Sequence, residues 1–487
     1  MPGRMEFNFS LSRSTGPRIS NRGPMRLLVM GDFSGWPALQ RGPLATRATH
    51  SVDFDNLDTV LHRLRPRAAL DGDAPAFESL DDFHPDQLFA RLPIFRALRD
   101  MRQRLLDPAQ FAQAAAELLQ DAVPAVPAAP AGPAHRAAAA SPRDALLAQL
   151  LGGKPAGTGS APAAPAVVTG VDALVRHLAM PHIVPDIAQK QGACLAAVDG
   201  AIADAMRAVL HAPAFQSIES AWRGVQWLIA SLELTPDLQL HLFDVTRDEL
   251  LADVVAAQGQ IEQTGVHQAL VGRQRHPPGA DGWSALIGLY TFGPSDTDIG
   301  LLAALGVLAA QAGAPLLAGA DLSLAGADSV ALAAWQALRR SEVASWIGLA
   351  APRVLLRLPY GHGGDPIERF KFDEFGATPL HPQYLWGHGA LACALLIGRA
   401  FTARGWDFEP DSAQEIAGLP AYTVVRDGEP ALQSCAEQTL DDAAGQGLLA
   451  AGLMPVLSHR QRNAVTVLRL QSVADPGCAL AGFGASA

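Results

Sequence analysis

Two short stretches carry residue types that could bind a phosphate or a metal ion. Residues 152–155 (GGKP) have the glycines and lysine of a phosphate-binding loop, but Pro155 follows the lysine and no buried strand precedes it. Residues 53–58 (DFDNLD) begin like a calcium loop, yet they lack its sixth-position glycine and its distal glutamate. The sequence therefore favours a linker for the first stretch and a helix cap for the second.

Two further stretches could suggest catalysis or metal binding. Residues 361–364 (GHGG) resemble an esterase oxyanion turn, but the chain has no G-x-S-x-G nucleophile elbow. A loop that needs positive φ is the better interpretation. His381 and His388 flank Pro382 at a spacing that does not suit a ligand pair. We therefore predict no catalytic residue, no cofactor and no metal site, and an α/β hydrolase using the 361–364 loop is kept as a rival hypothesis.

Composition and charge exclude further classes of protein. The net charge of −11 argues against nucleic-acid binding, which needs a surplus of Lys and Arg facing phosphate. The cysteines are far apart and form no CxxC pair, which is typical of small buried side chains in a reducing compartment. They are Cys194, Cys393, Cys435 and Cys478. We expect a cytoplasmic protein.

One apolar stretch, residues 299–320, is long enough to be considered as a membrane span. It is interrupted by Gln311, Gly313 and Pro315, and aspartates lie on both sides of it. A buried helix followed by a short buried strand fits this pattern better. We therefore predict no membrane insertion.

The elements around these stretches indicate an α/β fold. Before residue 120, Met5, Phe7, Phe9 and Leu11 alternate with polar residues, the pattern of a strand with one buried face. A buried strand is predicted at 26–30, and helices at 56–64 and 85–119, the latter broken near its prolines. After residue 170, a helical stretch at 171–232 precedes alternating strands and helices. The predicted strands are 238–245, 284–292, 353–358 and a pair within 453–470, and the helices are 247–258, 297–312 and 385–404.

Residues 121–170 are rich in Ala, Pro and Gly and are expected to form a disordered linker. Within them, residues 141–151 have a capping Ser141 and a glycine stop, so a short amphipathic helix is predicted. Its apolar residues are Leu146, Leu147, Leu150 and Leu151. Such a helix is either a docking peptide or a transient helix with no partner, and its own residues do not decide between the two.

Several motifs resemble the contractile sheath proteins of type VI secretion. Residues 26–35 (RLLVMGDFSG), 41–44 (RGPL), 52–64 and 83–107 are similar to the small sheath subunit. Residues 215–228 (FQSIESAWRGVQWL), 353–361 (RVLLRLPYG), 367–375 (IERFKFDEF), 384–387 (YLWG) and 452–460 (GLMPVLSHR) are similar to the large subunit. The resemblance implies two normally separate subunits joined in one chain. The expected domains are residues 1–120, small-subunit-like, the linker 121–170, and residues 171–487, large-subunit-like and without the usual C-terminal extension.

The resemblance implies a sheath-type mixed α/β body built from two segments, and a structural, non-enzymatic role. Partners would be the sheath subunits or further copies of the chain, with the inner-tube protein, the baseplate and a recycling AAA+ ATPase as further candidates. Met5, Phe7, Phe9 and Leu11 would take part in strand exchange. Leu146, Leu147, Leu150 and Leu151 would dock the ATPase. An accessory protein that caps or nucleates a sheath is the alternative within the same class.

Overall fold

A computed structural model describes residues 23–68, 76–120, 191–272, 282–326, 332–362, 364–376, 379–408, 413–426 and 429–483. They form two compact units. The first unit comprises Met1–Pro66, Ser217–Leu358 and Tyr384–Ala487, and the second comprises Arg67–Gln216 and Pro359–Gln383. We call residues 1–120 the N-terminal segment and residues 171–487 the C-terminal segment. Each unit contains residues of both segments.

The strands and helices of the described residues alternate along most of the chain. The strands are β1 (Met25–Gly31), β2 (His50–Val52), β3 (Leu238–Asp244), β4 (Ala285–Phe292), β5 (Leu316–Ala320), β6 (Ile347–Ala351), β7 (Val354–Leu355), β8 (Trp386–Gly387), β9 (Gln414–Ala417), β10 (Thr423–Arg426), β11 (Glu429–Leu432), β12 (Met454–Ser458) and β13 (Ala464–Val467). The helices are α1 (Ala38–Arg41), α2 (Leu57–Leu64), α3 (Pro85–Arg91), α4 (Arg96–Leu106), α5 (Phe111–Gln120), α6 (Gln191–Leu210), α7 (Pro213–Ser231), α8 (Arg247–Ala256), α9 (Gly265–His267), α10 (Asp296–Ala312), α11 (Ala333–Arg339), α12 (Gly389–Arg404) and α13 (Asp442–Ala450).

The first unit is built on a nine-stranded sheet with the order β2-β3-β1-β4-β5-β6-β12-β13-β9. The strands from β3 to β12 are parallel to one another, and β2, β13 and β9 are antiparallel to their neighbours. Two strands come from the N-terminal segment. β1 lies between β3 and β4, in register from Met25 opposite Leu238 to Gly31 opposite Asp244. The C-terminal segment thus supplies seven of the nine strands. The N-terminal segment supplies β2 at the edge and β1, the third strand.

Helices cover the sheet because a parallel sheet must bury both of its faces. Leu28 and Met30 of β1 join a large apolar cluster that includes α8 and α10, while the alternate residues Leu27 and Val29 are equally buried. Helix α12 packs against β4, β5 and β6. These contacts explain why β1 consists almost entirely of large apolar side chains.

The apolar stretch 299–320 forms the predicted buried helix and strand, α10 and β5. The side chain of Ser295 caps α10 by accepting a hydrogen bond from the Asp298 amide, and Gly313 ends the helix at φ +69°. In the part of the chain that the structure describes, no helix is long and apolar enough to cross a membrane.

The second unit is mainly helical. Helices α3, α4 and α5 of the N-terminal segment are separated at the predicted prolines, Pro93 and Pro108. Helix α6 of the C-terminal segment packs against α4 and α5, and the loop 359–383 completes the unit. The Arg102 side chain of α4 forms an ion pair of 2.7 Å with Asp199 of α6.

The predicted mixed α/β fold is confirmed, with differences in individual elements. The predicted strand at 353–358 is wrong in length, since β7 covers only Val354–Leu355. Leu356 instead donates its amide hydrogen to the Leu385 carbonyl, and Arg357 turns its side chain to Glu219. The sequence patterns did not predict strands β2, β6, β8, β9, β10 and β11 or helices α1, α9, α11 and α13.

Candidate functional site: the seam between the two segments

The candidate site is the seam in the first unit where β1 is held between two strands of the C-terminal segment. Both ends of β1 are fixed by further backbone hydrogen bonds across this seam. The Met25 amide donates to the Asp237 carbonyl at 2.7 Å, and the Val245 amide donates to the Gly31 carbonyl at 2.8 Å. The sheet therefore continues across the seam without a break in its hydrogen bonding.

Asp244 anchors the loop that follows β1. Parallel strands bring their carboxyl ends to one edge of a sheet, so the last residue of β3 lies beside the first residues after β1. The Asp244 carboxylate accepts hydrogen bonds from the amides of Phe33 and Ser34, at 2.8 and 3.1 Å, and from the Ser34 hydroxyl at 2.6 Å. Asp244 is only 5% exposed, so these donors replace water around a buried carboxylate.

Glu249 joins two arginines of the N-terminal segment to the start of α8. It closes a capping box with Thr246 and accepts a hydrogen bond of 2.9 Å from the Thr246 amide. Its carboxylate also lies 2.8 Å from Arg47 Nη2 and 3.2 Å from Arg41 Nη1. Arg41 makes a second ion pair of 2.7 Å with Asp32. The two arginine side chains are 3% and 7% exposed, so the network is nearly removed from solvent.

The charges of the network shift the ionisation of its carboxyl groups in opposite directions. Burial opposes ionisation of Glu249, but hydrogen bonds from Arg47 and from the Thr246 amide, with the positive charges of Arg47 and Arg41, lower its pKa below the usual value. Burial raises the pKa of Asp32, and the nearby Arg41 offsets this only in part. Of Glu249 and Asp32, it is therefore Glu249 whose charged form the seam stabilises.

Two aromatic side chains of the C-terminal segment complete the seam. The indole Nε1 of Trp222 donates a hydrogen bond to the Phe33 carbonyl at 2.8 Å. The rings of Trp222 and Phe33 also pack edge to face, with their centroids 5.5 Å apart. The Tyr290 hydroxyl donates to the Val245 carbonyl at 2.8 Å. Burial raises the pKa of Tyr290 well above its usual value, so it acts as a neutral donor.

A second seam lies within the second unit and is mainly aromatic. In the loop 359–383 of the C-terminal segment, the ring centroid of Phe370 lies 4.8 Å from that of Phe89 in α3. Asp86, also of α3, accepts hydrogen bonds from the amides of Glu368 and Arg369 at 3.1 and 3.0 Å. Buried Glu374 ties the loop to itself by accepting a hydrogen bond from the Tyr360 amide at 2.8 Å. Both units are therefore shared between the segments.

The residues considered for catalysis or metal binding make contacts that support the local fold. Asp53 accepts hydrogen bonds from the Asp55 and Asn56 amides at 3.0 Å each, so it forms a turn just before α2. The predicted helix cap is wrong, because the N-cap residue Asn56 makes no side-chain capping hydrogen bond. Gly361 has φ +107°, as the loop interpretation requires. Burial, and secondarily Arg353, lowers the pKa of His388 to about 4. The described ranges contain no cluster of three or more His, Cys, Asp or Glu side chains that could hold a metal ion.

The residues predicted to exchange strands or to dock an ATPase lie outside the described residues. They are Met5, Phe7, Phe9, Leu11, Leu146, Leu147, Leu150 and Leu151, and residues 152–155 share that position. The seam residues Arg41, Arg47, Asp244 and Glu249 were not predicted from the sequence. The only local signal for them is the spacing of Thr246 and Glu249, which is that of a capping box.

Comparison with known proteins follows the same division of the chain. Residues 192–474, more than half of the 487, match the family described as VipB (EvpB), tail sheath N-terminal domain. Residues 16–124 match the family described as type VI secretion system VipA. The two matches fall on the two segments.

Two curated relatives from Pseudomonas aeruginosa agree with this. The chain is 29% identical over 334 residues to the type VI secretion system sheath protein TssC1, covering 64% of this chain and 67% of that protein. It is 31% identical over 93 residues to the type VI secretion system sheath protein TssB1, covering 17% of this chain and 54% of that protein. The chain thus spans about two thirds of one relative and half of the other.

Proposed function

We propose, from the premise that this chain belongs to the VipB tail-sheath family, that it combines the roles of both sheath subunits in one protomer. The chain is a structural component of a type VI secretion sheath. The observation that carries the proposal is the position of β1 between β3 and β4. Because β1 is internal to the sheet, the N-terminal segment is part of the protomer's core and not an appended domain.

Joining the segments has a direct physical consequence. A tether of suitable length gives one segment an effective concentration of about the millimolar range for the other, without any new contact. Seam formation then becomes independent of the concentration of the chain. A fused protomer therefore matches the two segments one to one in every copy.

The proposed role is structural and not catalytic, and its proposed place is the cytoplasm. The buried ionisable groups Asp244, Glu249 and Tyr290 of the seam bind other side chains or backbone groups, as expected of a structural contact. The sheath relatives do not favour a hydrolase, and they do not favour an accessory protein over a sheath component. Sheath subunits or further copies of this chain are the expected neighbours, and the inner-tube protein and the baseplate are proposed as further partners.

The test of this role is electron microscopy of the purified chain, alone and mixed with separate small and large sheath subunits. We expect tubular or ring-shaped assemblies containing the chain, because each protomer carries material of both subunits. Size-exclusion chromatography of the same samples serves as the control for folding. A folded chain that stays monomeric alone and is absent from tubes formed by the separate subunits would contradict the proposal.

A second proposed contact is the docking of a recycling AAA+ ATPase on residues 141–151. Leu147, Leu150 and Leu151 have helical spacing, and each apolar side chain contributes about 1.5–3 kcal/mol when fully buried in a partner groove. We expect a 138–155 peptide to bind the ATPase N-terminal domain in a fluorescence titration. The matched control is the same peptide with Leu147→Asp and Leu150→Asp. Equal binding by both peptides, or binding by neither, would remove this helix from the mechanism.

A further inference from the structure

Among the described residues, one edge of the nine-stranded sheet is open. β2 forms this edge and pairs with β3 on its inner side. The backbone groups on its outer side have no hydrogen-bond partner among the described residues. Burial and the charge of Arg63 lower the pKa of His50, so the strand is uncharged at neutral pH. An uncharged strand with unpaired N–H and C=O groups readily accepts an added strand.

The surroundings of this edge are both apolar and acidic. Phe54, two residues beyond β2, is 84% exposed, which is unusual for a phenylalanine. The carboxylates of Asp53, Asp55 and Asp58 are close to it in the chain, and Asp55 and Asp58 form no ion pair within the described ranges. A segment that fits this edge should bring alternating apolar side chains and positive charge.

The N-terminal residues of the chain have both properties. Met5, Phe7, Phe9 and Leu11 alternate with polar residues, and in β2 the Val52 side chain is buried whereas that of Ser51 is exposed. Residues 1–22 also carry a net positive charge from four arginines and one glutamate. These are Arg4, Arg13, Arg18, Arg22 and Glu6. We propose that in the unassembled chain residues 5–11 pair with the chain's own β2 and cover Phe54.

The length of chain before β1 selects this edge over the other. A strand outside β2 would lie three strand spacings from β1, about 14 Å away. A strand outside β9, at the opposite edge, would lie seven spacings away, about 34 Å. Residues 12–24, which connect residue 11 to β1, can span at most about 43–47 Å when fully extended. β2 is therefore within easy reach, whereas β9 requires a largely extended connection.

The charge of the two edges favours the same choice. β9 carries Glu415, which forms ion pairs with Arg462 and, at 3.6 Å, with His459. Charged side chains on an edge strand oppose the addition of another strand, and β2 has none. The proposed pairing protects the free chain against premature association. It rests on the proposed function in one respect, since assembly would release residues 5–11 to a neighbouring copy.

Disulfide trapping in the full-length chain tests this pairing. The exposed native cysteine is removed by Cys478→Ser. Ser51→Cys is then combined in turn with Glu6→Cys, Asn8→Cys or Ser10→Cys, because the register of the added strand is open. After oxidation with copper phenanthroline at low protein concentration, mass spectrometry of the digested monomer identifies the linked peptides. We expect an intrachain disulfide for at least one of the three pairs.

Two controls make the result specific. Phe7→Asp with Phe9→Asp places charges on the buried face and should lower the linked fraction about tenfold. Asn8→Cys combined with Gln414→Cys on β9 should give no link above background. A disulfide that forms only between chains, or none at all three positions, would overturn the pairing. Electron microscopy tests assembly separately, so an intrachain disulfide without assembly would contradict the sheath role and leave the pairing intact.

Discussion

Cleaved between Pro127 and Pro133, the chain should remain a single species in gel filtration. Residues 1–120 and 171–487 made separately should each fail to fold. The reason is the position of β1, which supplies five fully buried side chains to a sheet of the C-terminal segment, those of Met25, Leu27, Leu28, Val29 and Met30. At about 1.5–3 kcal/mol for each buried side chain, β1 contributes roughly 7–15 kcal/mol. That is comparable to the whole net stability of a domain, about 5–15 kcal/mol.

The C-terminal segment alone would also leave polar groups unpaired. β3 and β4 would lose their shared neighbour, and buried Asp244 would lose its donors Phe33 and Ser34. Separately made segments should therefore bind a dye for exposed apolar surface and aggregate, and coexpression should restore a soluble complex. Elution of the cleaved chain as two folded species, or cooperative unfolding of either segment alone, would show that the segments are independent domains.

The sequence predicts where strands of the first unit lie better than it predicts which strands pair with one another. The apolar run at 26–30 indicates a buried strand by itself, because strand propensity and burial are local properties of the chain. Its pairing with β3 joins residues more than two hundred positions apart, and no local pattern carries that information. β2 was not predicted because three residues, His50 to Val52, are too few to show an alternation.

The seam shows the same contrast between local and distant signals. The capping box of Thr246 and Glu249 can be read from the sequence as the start of α8. Glu249 also binds Arg41 and Arg47, which lie between β1 and β2 and are about two hundred residues away in the sequence. The resemblance to sheath subunits included Arg41 as part of a motif, but it did not indicate which residue the arginine binds. The partner becomes apparent only in the folded sheet.

Replacing Glu249 with alanine should lower the free energy of unfolding of the first unit by about 3–5 kcal/mol. The reason is that the buried side chains of Arg41 and Arg47 would lose the carboxylate with which they pair. Glu249→Gln should lower it by less, since the amide oxygen can still accept the Thr246 hydrogen bond. Asp248→Asn is the matched control: it is the next residue, and its side chain is 92% exposed, so we expect a change within about 0.5 kcal/mol.

The pH dependence of the Glu249→Gln variant separates the charge of Glu249 from its shape. The folded-state pKa of Glu249 is lowered, so its charge stabilises the fold above the usual value of 4.5, and that contribution is lost as the pH falls through the lowered folded-state pKa. The difference in urea unfolding between the natural chain and Glu249→Gln, followed by tryptophan fluorescence, should be constant near pH 7. It should shrink toward zero below pH 4.5. A difference that is independent of pH, or that is no larger than the effect of Asp248→Asn, would mean that the ion pairs of Glu249 do not stabilise the seam.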